Sequence, residues 1–417
     1  MRHGLGWLAG GPRLGRLMPF HRGLLGHPRR RAVPYTRPEH VRLALEDLGA
    51  TFVKLGQIAS TRGDLLPPAY QAELARLQDA APPEPWENIR AVLEAELGDG
   101  LGDLFVTVDP APVASASIGQ AHAATLADNT EVIVKVRRPG VVQVVEIDLD
   151  LLTRAADRIG RRLDRAGRWD LPAIAAEFAA TLRAELDYRR EAANARRFAI
   201  QFANRQEVRI PLVFPAASTS RVLTLERLRG LKLDDLDGLD AAGIDRAALA
   251  DRAARLLLEM VYTNGFFHAD PHPGNFFVQP DGAIGLIDFG MVGEIAPEQR
   301  ALLAGLLFAI ASRDPDALME SFLAMGTAPP DVNRGQLQAD LVAVVRAVVD
   351  RPLGEVSVGR LLEDLLAIMR RHRLRLPGTL ALLAKTITMA EGMGAHLDPS
   401  FRLLDAMVRF TTGEQAD

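Results

Sequence analysis

The stretch His268–Asn275 reads HADPHPGN, and the chain continues as FFVQPDGAIGLIDFG to Gly290. Two short apolar runs, Phe276–Val278 and Ile284–Ile287, flank Asp281-Gly282, a dipeptide suited to a tight hairpin turn. That hairpin delivers Asp288-Phe289-Gly290. Two histidines, an aspartate and an asparagine this close together allow a His-x-Asp-x-His metal cluster or a loop that handles phosphate. A metal hydrolase would need further ligands at defined spacing, but His372 and His396 stand alone and the chain has no cysteine.

Asp270 and Asn275 are separated by four residues, and an Asp-Phe-Gly follows one hairpin later. This is the order and spacing of a kinase catalytic centre, with Asp270 as base and Asn275 and Asp288 as oxygen ligands for Mg²⁺. His268 reads as a structural hydrogen-bonding residue of the loop. His272 reads as a residue that orients the loop or lines the pocket.

Upstream residues fit this reading. Of 49 basic residues only four are lysines: Lys54, Lys135, Lys232 and Lys385. A lysine kept under such a bias marks a place where a compact ammonium is needed. Lys135 ends the strand-like Val132-Ile-Val-Lys135, as expected of the lysine that grips the α- and β-phosphates. Lys232 and Lys385 are read as lysines by chance. Glu185, Asp187 and Glu191 are expected on one helix, with Glu191 as partner of Lys135.

Three features depart from an ordinary protein kinase. The glycine-rich loop is replaced by Pro112–Gln120, so Ala114, Ser115, Ala116 and Ser117 are the expected nucleotide-facing residues, on a stiffer backbone than glycine provides. Only Met291–Ile295 separate Asp288-Phe289-Gly290 from Ala296-Pro-Glu298, with no Ser, Thr or Tyr to phosphorylate and no platform for a peptide. About 60 residues of helical pattern, Val142 to Gln201, follow Lys135.

The expected organisation follows. Residues 1–38 hold eight arginines and no acid, and read as a basic, disordered tail able to touch anionic lipid. Residues 39–108 form a helical extension in which Val41, Leu45, Leu48, Phe52 and Leu55 read as one helix. Residues 109–228 form a β-rich lobe with a helical insertion, and 229–417 a helical lobe. The apolar stretch Ala301–Ser312 is too short to span a bilayer and reads as a buried helix. The net charge of −4 gives no reason to expect a nucleic-acid partner. The fold class expected is α+β, bilobal and protein-kinase-like.

The motifs KLGQIASTRGDLLPPAYQAELARLQDAAPP, VIVKVRRPG, AELDYRREAANARRF, HADPHPGN and LIDFGMVGEI together resemble the UbiB/ADCK (AarF-type) atypical kinase-like family, over roughly residues 39–405. The resemblance implies that Lys54, Gly56 and Gln57 form a Lys-x-Gly-Gln element folded over the active site, with Lys54 pairing to Glu185 and Asp187 and serving catalysis or autoinhibition. It makes Glu226 and Leu228 hinge residues that contact adenine through their backbone. It implies binding of ATP or ADP with Mg²⁺, ATP hydrolysis, and a supporting role in ubiquinone biosynthesis. Expected partners are the nucleotide, quinone-biosynthesis enzymes, lipid or quinone intermediates, and a second copy of the chain. Many bacterial members end in a transmembrane pair; without one, the expected location is cytoplasmic, with membrane contact peripheral at most, at the inner face. Two other readings compete: a small-molecule phosphotransferase of the aminoglycoside or choline kinase type, and an ATP-binding scaffold without turnover. The Lys-x-Gly-Gln extension weighs against the first, and intact Lys135, Asp270, Asn275 and Asp288 weigh against the second.

Overall fold

The computed structural model describes residues 35–77, 81–98, 101–163, 170–312, 314–326, 328–329, 332–349 and 356–412. Most of the expected basic tail lies outside them. The extension opens with α1 (Arg37–Leu48), started by a capping box in which Thr36 and Glu39 satisfy each other's backbone amides. The apolar periodicity that reads as one helix is two. Gly49 at φ +100° adopts a conformation that side chains resist, and the chain restarts as α2 (Ala50–Ser60). With α3 (Pro68–Leu74), these helices close a small core of Val53, Leu74 and Leu77, with Val41 and Leu45 against it.

Next come α4 (Trp86–Leu97), α5 (Leu101–Leu104) and the strands β1 (Phe105–Ser115), β2 (Gly119–Leu126) and β3 (Glu131–Arg137). The hairpin strands pair antiparallel. α4 buries Ile89, Val92 and Leu93 against Val132, Val134 and Val136 of β3. The expected boundary at 108/109 therefore falls inside β1, and α4 packs with the sheet rather than the extension. The period of two along β3 turns its valines towards α4 and Lys135 to the opposite face.

Three helices follow: α6 (Val141–Leu163), α7 (Leu171–Glu185) and α8 (Tyr188–Gln201). α6 and α7 pack through Val145, Leu149, Phe178 and Leu182, and Leu55 and Ile58 of α2 lie against that cluster. The extension is thus fastened to the insertion. The acids expected on one helix fall on two: α7 ends at Glu185, Leu186 intervenes, and Asp187 caps α8 by accepting from the Arg189 amide.

After β4 (Val208–Arg209), β5 (Val222–Glu226) joins the edge of β3 to complete the four-stranded order β1-β2-β3-β5. The second lobe holds β6 (Leu231–Lys232), α9 (Leu236–Ala241), α10 (Arg246–Leu258), β7 (Phe266–His268), β8 (Phe276–Val278), β9 (Ile284–Leu286) and β10 (Val292–Glu294). It continues as α11 (Pro297–Ala311), α12 (Pro315–Met325), α13 (Arg334–Val349), α14 (Val358–Arg371), α15 (Gly378–Leu397) and α16 (Leu403–Thr412). β8 and β9 form the expected hairpin, with Gly282 at φ +77° in its turn. β7 and β10 were not legible as strands; they pair as short antiparallel segments around the site. α11 is not buried all round: Leu306 and Ala309 are inside, whereas Phe308 is 72% exposed.

α8 ties the lobes together. Its Phe198 is fully buried beside Phe266 and Phe289 of the second lobe, while Ala192 and Tyr188 pack on Leu223 and Leu225 of β5. The fold is bilobal, α+β and kinase-like, with the cleft running between the β3 face and the β8–β9 hairpin. Among the described residues, no helix is long and apolar enough to cross a membrane.

Candidate active site

β3 aims Lys135 into the cleft, where its ammonium bonds to the Glu191 carboxylate from α8. Its Nζ also lies 3.5 Å from Asp288 Oδ2. Burial works against the ammonium, but the carboxylates of Asp288 and Glu191 outweigh it and hold the pKa above the usual lysine range. Burial likewise pushes Glu191 up, against the pull of Lys135. Glu191 accepts in addition from the Phe289 amide at 3.4 Å, and Asn194 donates to the Phe289 carbonyl at 2.9 Å. A single turn of α8 therefore sets both the lysine and the Asp288-Phe289-Gly290 turn.

Asp288 is held by more than its lysine. Burial would raise its carboxyl pKa, but Lys135, the Gly290 amide at 2.9 Å and smaller pulls from His268 and Lys54 bring it down to about 2. It is ionised throughout the neutral range. His268 receives the Asp270 amide on Nδ1 at 3.3 Å and donates from Nε2 to the Asp288 carbonyl. Burial pulls the pKa of that imidazole below the usual histidine value. It stitches the catalytic loop to the strand after it, a structural role. His272 caps the turn Pro273–Asn275 by accepting from the Gly274 amide at 3.1 Å.

Asp270 lines the cleft beneath this group. Asn275 donates its amide nitrogen to the Asp270 carbonyl at 3.1 Å and to its Oδ2 at 3.3 Å. The amide oxygen is then the Asn275 atom left for a cation, together with the Asp288 carboxylate. Such hard oxygen donors suit Mg²⁺. Among the described residues no three His, Asp or Glu side chains meet as a self-sufficient metal centre, so a cation here would share oxygens with a phosphate chain.

The loop that replaces the glycine-rich segment is pinned from behind. Arg138 donates from Nε to the Ala116 carbonyl at 2.8 Å, from Nη2 to Ser115 Oγ at 2.9 Å, and to Glu84 at 3.2 Å. Ala114 and Ala116 line the cleft. Ser115 and Ser117 do not; Ser115 faces Arg138 and Ser117 is buried. Of the four residues expected to face a nucleotide, the two alanines line the cleft and the two serines do not, because alternate residues at and just past the end of β1 point to opposite sides. Arg138 itself, three residues past Lys135, was not singled out from the sequence.

The expected hinge residues lie at and just past the end of β5. Glu226 and Leu228 are not among the residues lining the cleft. The Glu226 amide bonds to the Leu212 carbonyl at 2.8 Å, and its carboxylate accepts from the Leu212 amide at 3.1 Å.

α2 forms the roof. Lys54 and Gln57 line the cleft, and Lys54 Nζ lies 3.2 Å from Glu185 Oε2, both side chains largely buried. Gln57 donates to the Leu77 carbonyl at 3.1 Å. Gly56 lets α2 approach its neighbours, since a Cβ there would sit 2.2 Å from Leu77 and 2.8 Å from Leu45. Asp187, expected beside Lys54, instead caps α8 and pairs with Arg189 at 2.9 Å. The roof is thus fastened through Glu185. Glu185→Ala is expected to speed amide hydrogen exchange across Ala50–Ser60 about tenfold or more, with α10 unchanged, because a largely buried ammonium loses this carboxylate. Equal exchange in both proteins would show that Glu185 does not hold α2 down.

Lys385, read from the sequence as unremarkable, belongs to the site. It projects from α15 into the cleft with Nζ 4.0 Å from Asp270 Oδ1. Burial pulls its pKa below the usual lysine value, and Asp270 opposes that. No spacing rule links Lys385 to a loop so far upstream; its rarity as a lysine was the available signal.

Comparison with known proteins agrees with this geometry. Residues 76–322 match the ABC1 atypical kinase-like domain and residues 341–402 the UbiB helical domain. The chain is 37% identical over 372 residues to a probable protein kinase UbiB of Marinobacter nauticus, covering 88% of this chain and 68% of that one. It is 39% identical over 376 residues to a probable protein kinase UbiB of Xylella fastidiosa, with the same coverage. Among solved structures, the Rv3197–erythromycin complex from Mycobacterium tuberculosis superposes with a TM-score of 0.58 at 26% identity, covering 85% of this chain and 90% of that one. With a domain match over more than half its length and relatives matched along most of it, the chain belongs to the UbiB family of ABC1-type atypical kinase-like proteins.

Proposed function

We propose that this protein is an atypical kinase-like ATPase that binds ATP or ADP with Mg²⁺ and transfers the γ-phosphoryl group to water or a small acceptor. The observation that carries this reading is Lys135 held between Glu191 and Asp288 in the cleft that Asp270 and Asn275 also line. Lys135 would steady the α- and β-phosphates, and Asp270 would take the proton of the attacking oxygen. Mg²⁺, held by Asp288 and Asn275, would neutralise charge on the phosphate chain. With α2 roofing the cleft and only five residues between Gly290 and Ala296, a peptide has no place to lie, which favours hydrolysis or a small acceptor over protein phosphorylation. The likeness to UbiB proteins supports the further reading that this turnover serves isoprenoid-quinone biosynthesis, with quinone-pathway enzymes or lipid intermediates as partners and membrane contact peripheral.

Calorimetric titration with ADP tests the nucleotide site. The native protein is expected to bind ADP at least tenfold more tightly with Mg²⁺ than without, and Asp288→Asn to lose most of that difference, since one ionic ligand to the metal disappears. ADP binding that ignores Mg²⁺ would overturn this reading of Asp288. No nucleotide binding by the native protein would overturn the function.

A further inference from the structure

The segment that builds the floor of the site carries no positive charge of its own. From Gly265 to Gln299 there is no lysine or arginine. That floor presents two carboxylates, Asp270 and Asp288, to a phosphate chain that is itself strongly negative. Lys135 answers from the opposite lobe, where Glu191 and Asp288 already engage it. On the Asp270 side, among the described residues, the cleft-lining cation that reaches the carboxylate is Lys385, at 4.0 Å from Oδ1 with its side chain 22% exposed.

Lys385 is not placed there by chance packing. The next residue, Thr386, is fully buried, and its hydroxyl lies 3.2 Å from the Ala269 carbonyl, one residue before Asp270, and 2.9 Å from the Leu382 carbonyl of its own helix. This contact locks the register of α15 to the catalytic loop. A separate stretch of chain thus delivers an ammonium to the carboxylate that the loop exposes.

Resting on the function proposed above, we propose that Lys385 is a catalytic residue: its ammonium holds a γ-phosphate oxygen on the acceptor side and fixes Asp270 towards the attacking oxygen. In the step it serves, a water or hydroxyl oxygen forms the new bond to the γ-phosphorus as the bond to the β,γ-bridging oxygen breaks. The bonding pair leaves with ADP, and the proton of the attacking oxygen passes to Asp270. Charge spreading over the three γ-oxygens would then meet Lys385 on the acceptor side, with Mg²⁺ held by Asp288 and Asn275 neutralising the phosphate chain and Lys135 steadying the α- and β-phosphates.

The test compares native protein, Lys385→Met and Lys385→Arg for affinity towards Mg·ADP and a non-hydrolysable Mg·ATP analogue, and for phosphate release from Mg·ATP. Lys385→Met is expected to weaken the triphosphate analogue about tenfold while leaving Mg·ADP within about twofold. It is also expected to lower kcat for phosphate release about 10²-fold. Lys385→Arg should recover much of both. Equal loss of diphosphate and triphosphate affinity, or no change in either affinity or kcat, would overturn the assignment. Lys385→Gln and thermal midpoints accompany these variants. If all three substitutions melt far below the native protein, Lys385 is a packing residue and the assignment falls. A native protein that binds neither nucleotide would instead overturn the proposed function itself, which separates the two failures.

Discussion

Asp270→Asn is expected to lower phosphate release from Mg·ATP by about 10³-fold, within the range that a positioned general base contributes. Mg·ADP affinity should change little, since Asp270 lies on the acceptor side and its carboxylate meets Asn275 and Lys385. The substitution preserves shape and one acceptor oxygen, so the loop should keep its fold. His268 still bonds to the Asp288 carbonyl, and Asn275 still donates to the backbone carbonyl of residue 270. Single-turnover phosphate release, read beside calorimetric ADP titration, checks this. Equal release by the two proteins would remove Asp270 from the chemistry and would favour a scaffold that binds nucleotide without using the loop.

Lys135→Met is the second large effect, and it acts on stability as well as turnover. Phosphate release should fall about 10²- to 10³-fold, because the charge that steadies the α- and β-phosphates is lost. Glu191, 7% exposed, would be left as a buried carboxylate without its ammonium, which costs about 3–5 kcal/mol at neutral pH. The pH dependence has a definite sign. Burial already pushes the Glu191 carboxyl up, and losing Lys135 pushes it further. The folded state of the variant then holds a proton that the unfolded state has released, so its stability falls as pH rises. The deficit against the native protein should therefore be larger at pH 8 than at pH 5, measured as ΔG from urea unfolding at both. A deficit independent of pH would mean that the Lys135–Glu191 pair is not what the variant disrupts.

The parts of the site that could be read in the sequence are those written close together. Asp270, Asn275 and Asp288 sit on one loop and one hairpin, so local turn chemistry fixes their order and rough spacing. Lys135 was legible because it is a scarce lysine on a valine-rich strand, and Glu191 because a kinase-like lysine needs a helix carboxylate to hold it. What failed was of two kinds. Fine phase was lost where one residue changes direction: Gly49 splits a helix, Leu186 and Asp187 separate Glu185 from Glu191, and the strand end at Ala114–Ser117 alternates its faces. Long-range meetings were lost because no pattern announces them. Arg138 behind the alanine loop, the Leu212 bonds that engage Glu226, and above all Lys385 beside Asp270 depend on how whole elements dock.

The sequence by itself determined the chemistry on offer: a loop with a base and an amide, a hairpin that brings a second carboxylate, and a scarce lysine on a strand. Backbone preferences and side-chain periodicity act over a few residues, and those features need no more. Only the tertiary structure decided which charges face each other. The burial of Phe198, Phe267 and Phe289 in one core sets α8 between the lobes, so Lys135 meets both Glu191 and Asp288. The Thr386–Ala269 contact sets α15, so Lys385 meets Asp270. Electrostatic interactions depend on distance through space and on exclusion of water, and neither exists until the apolar surfaces have closed.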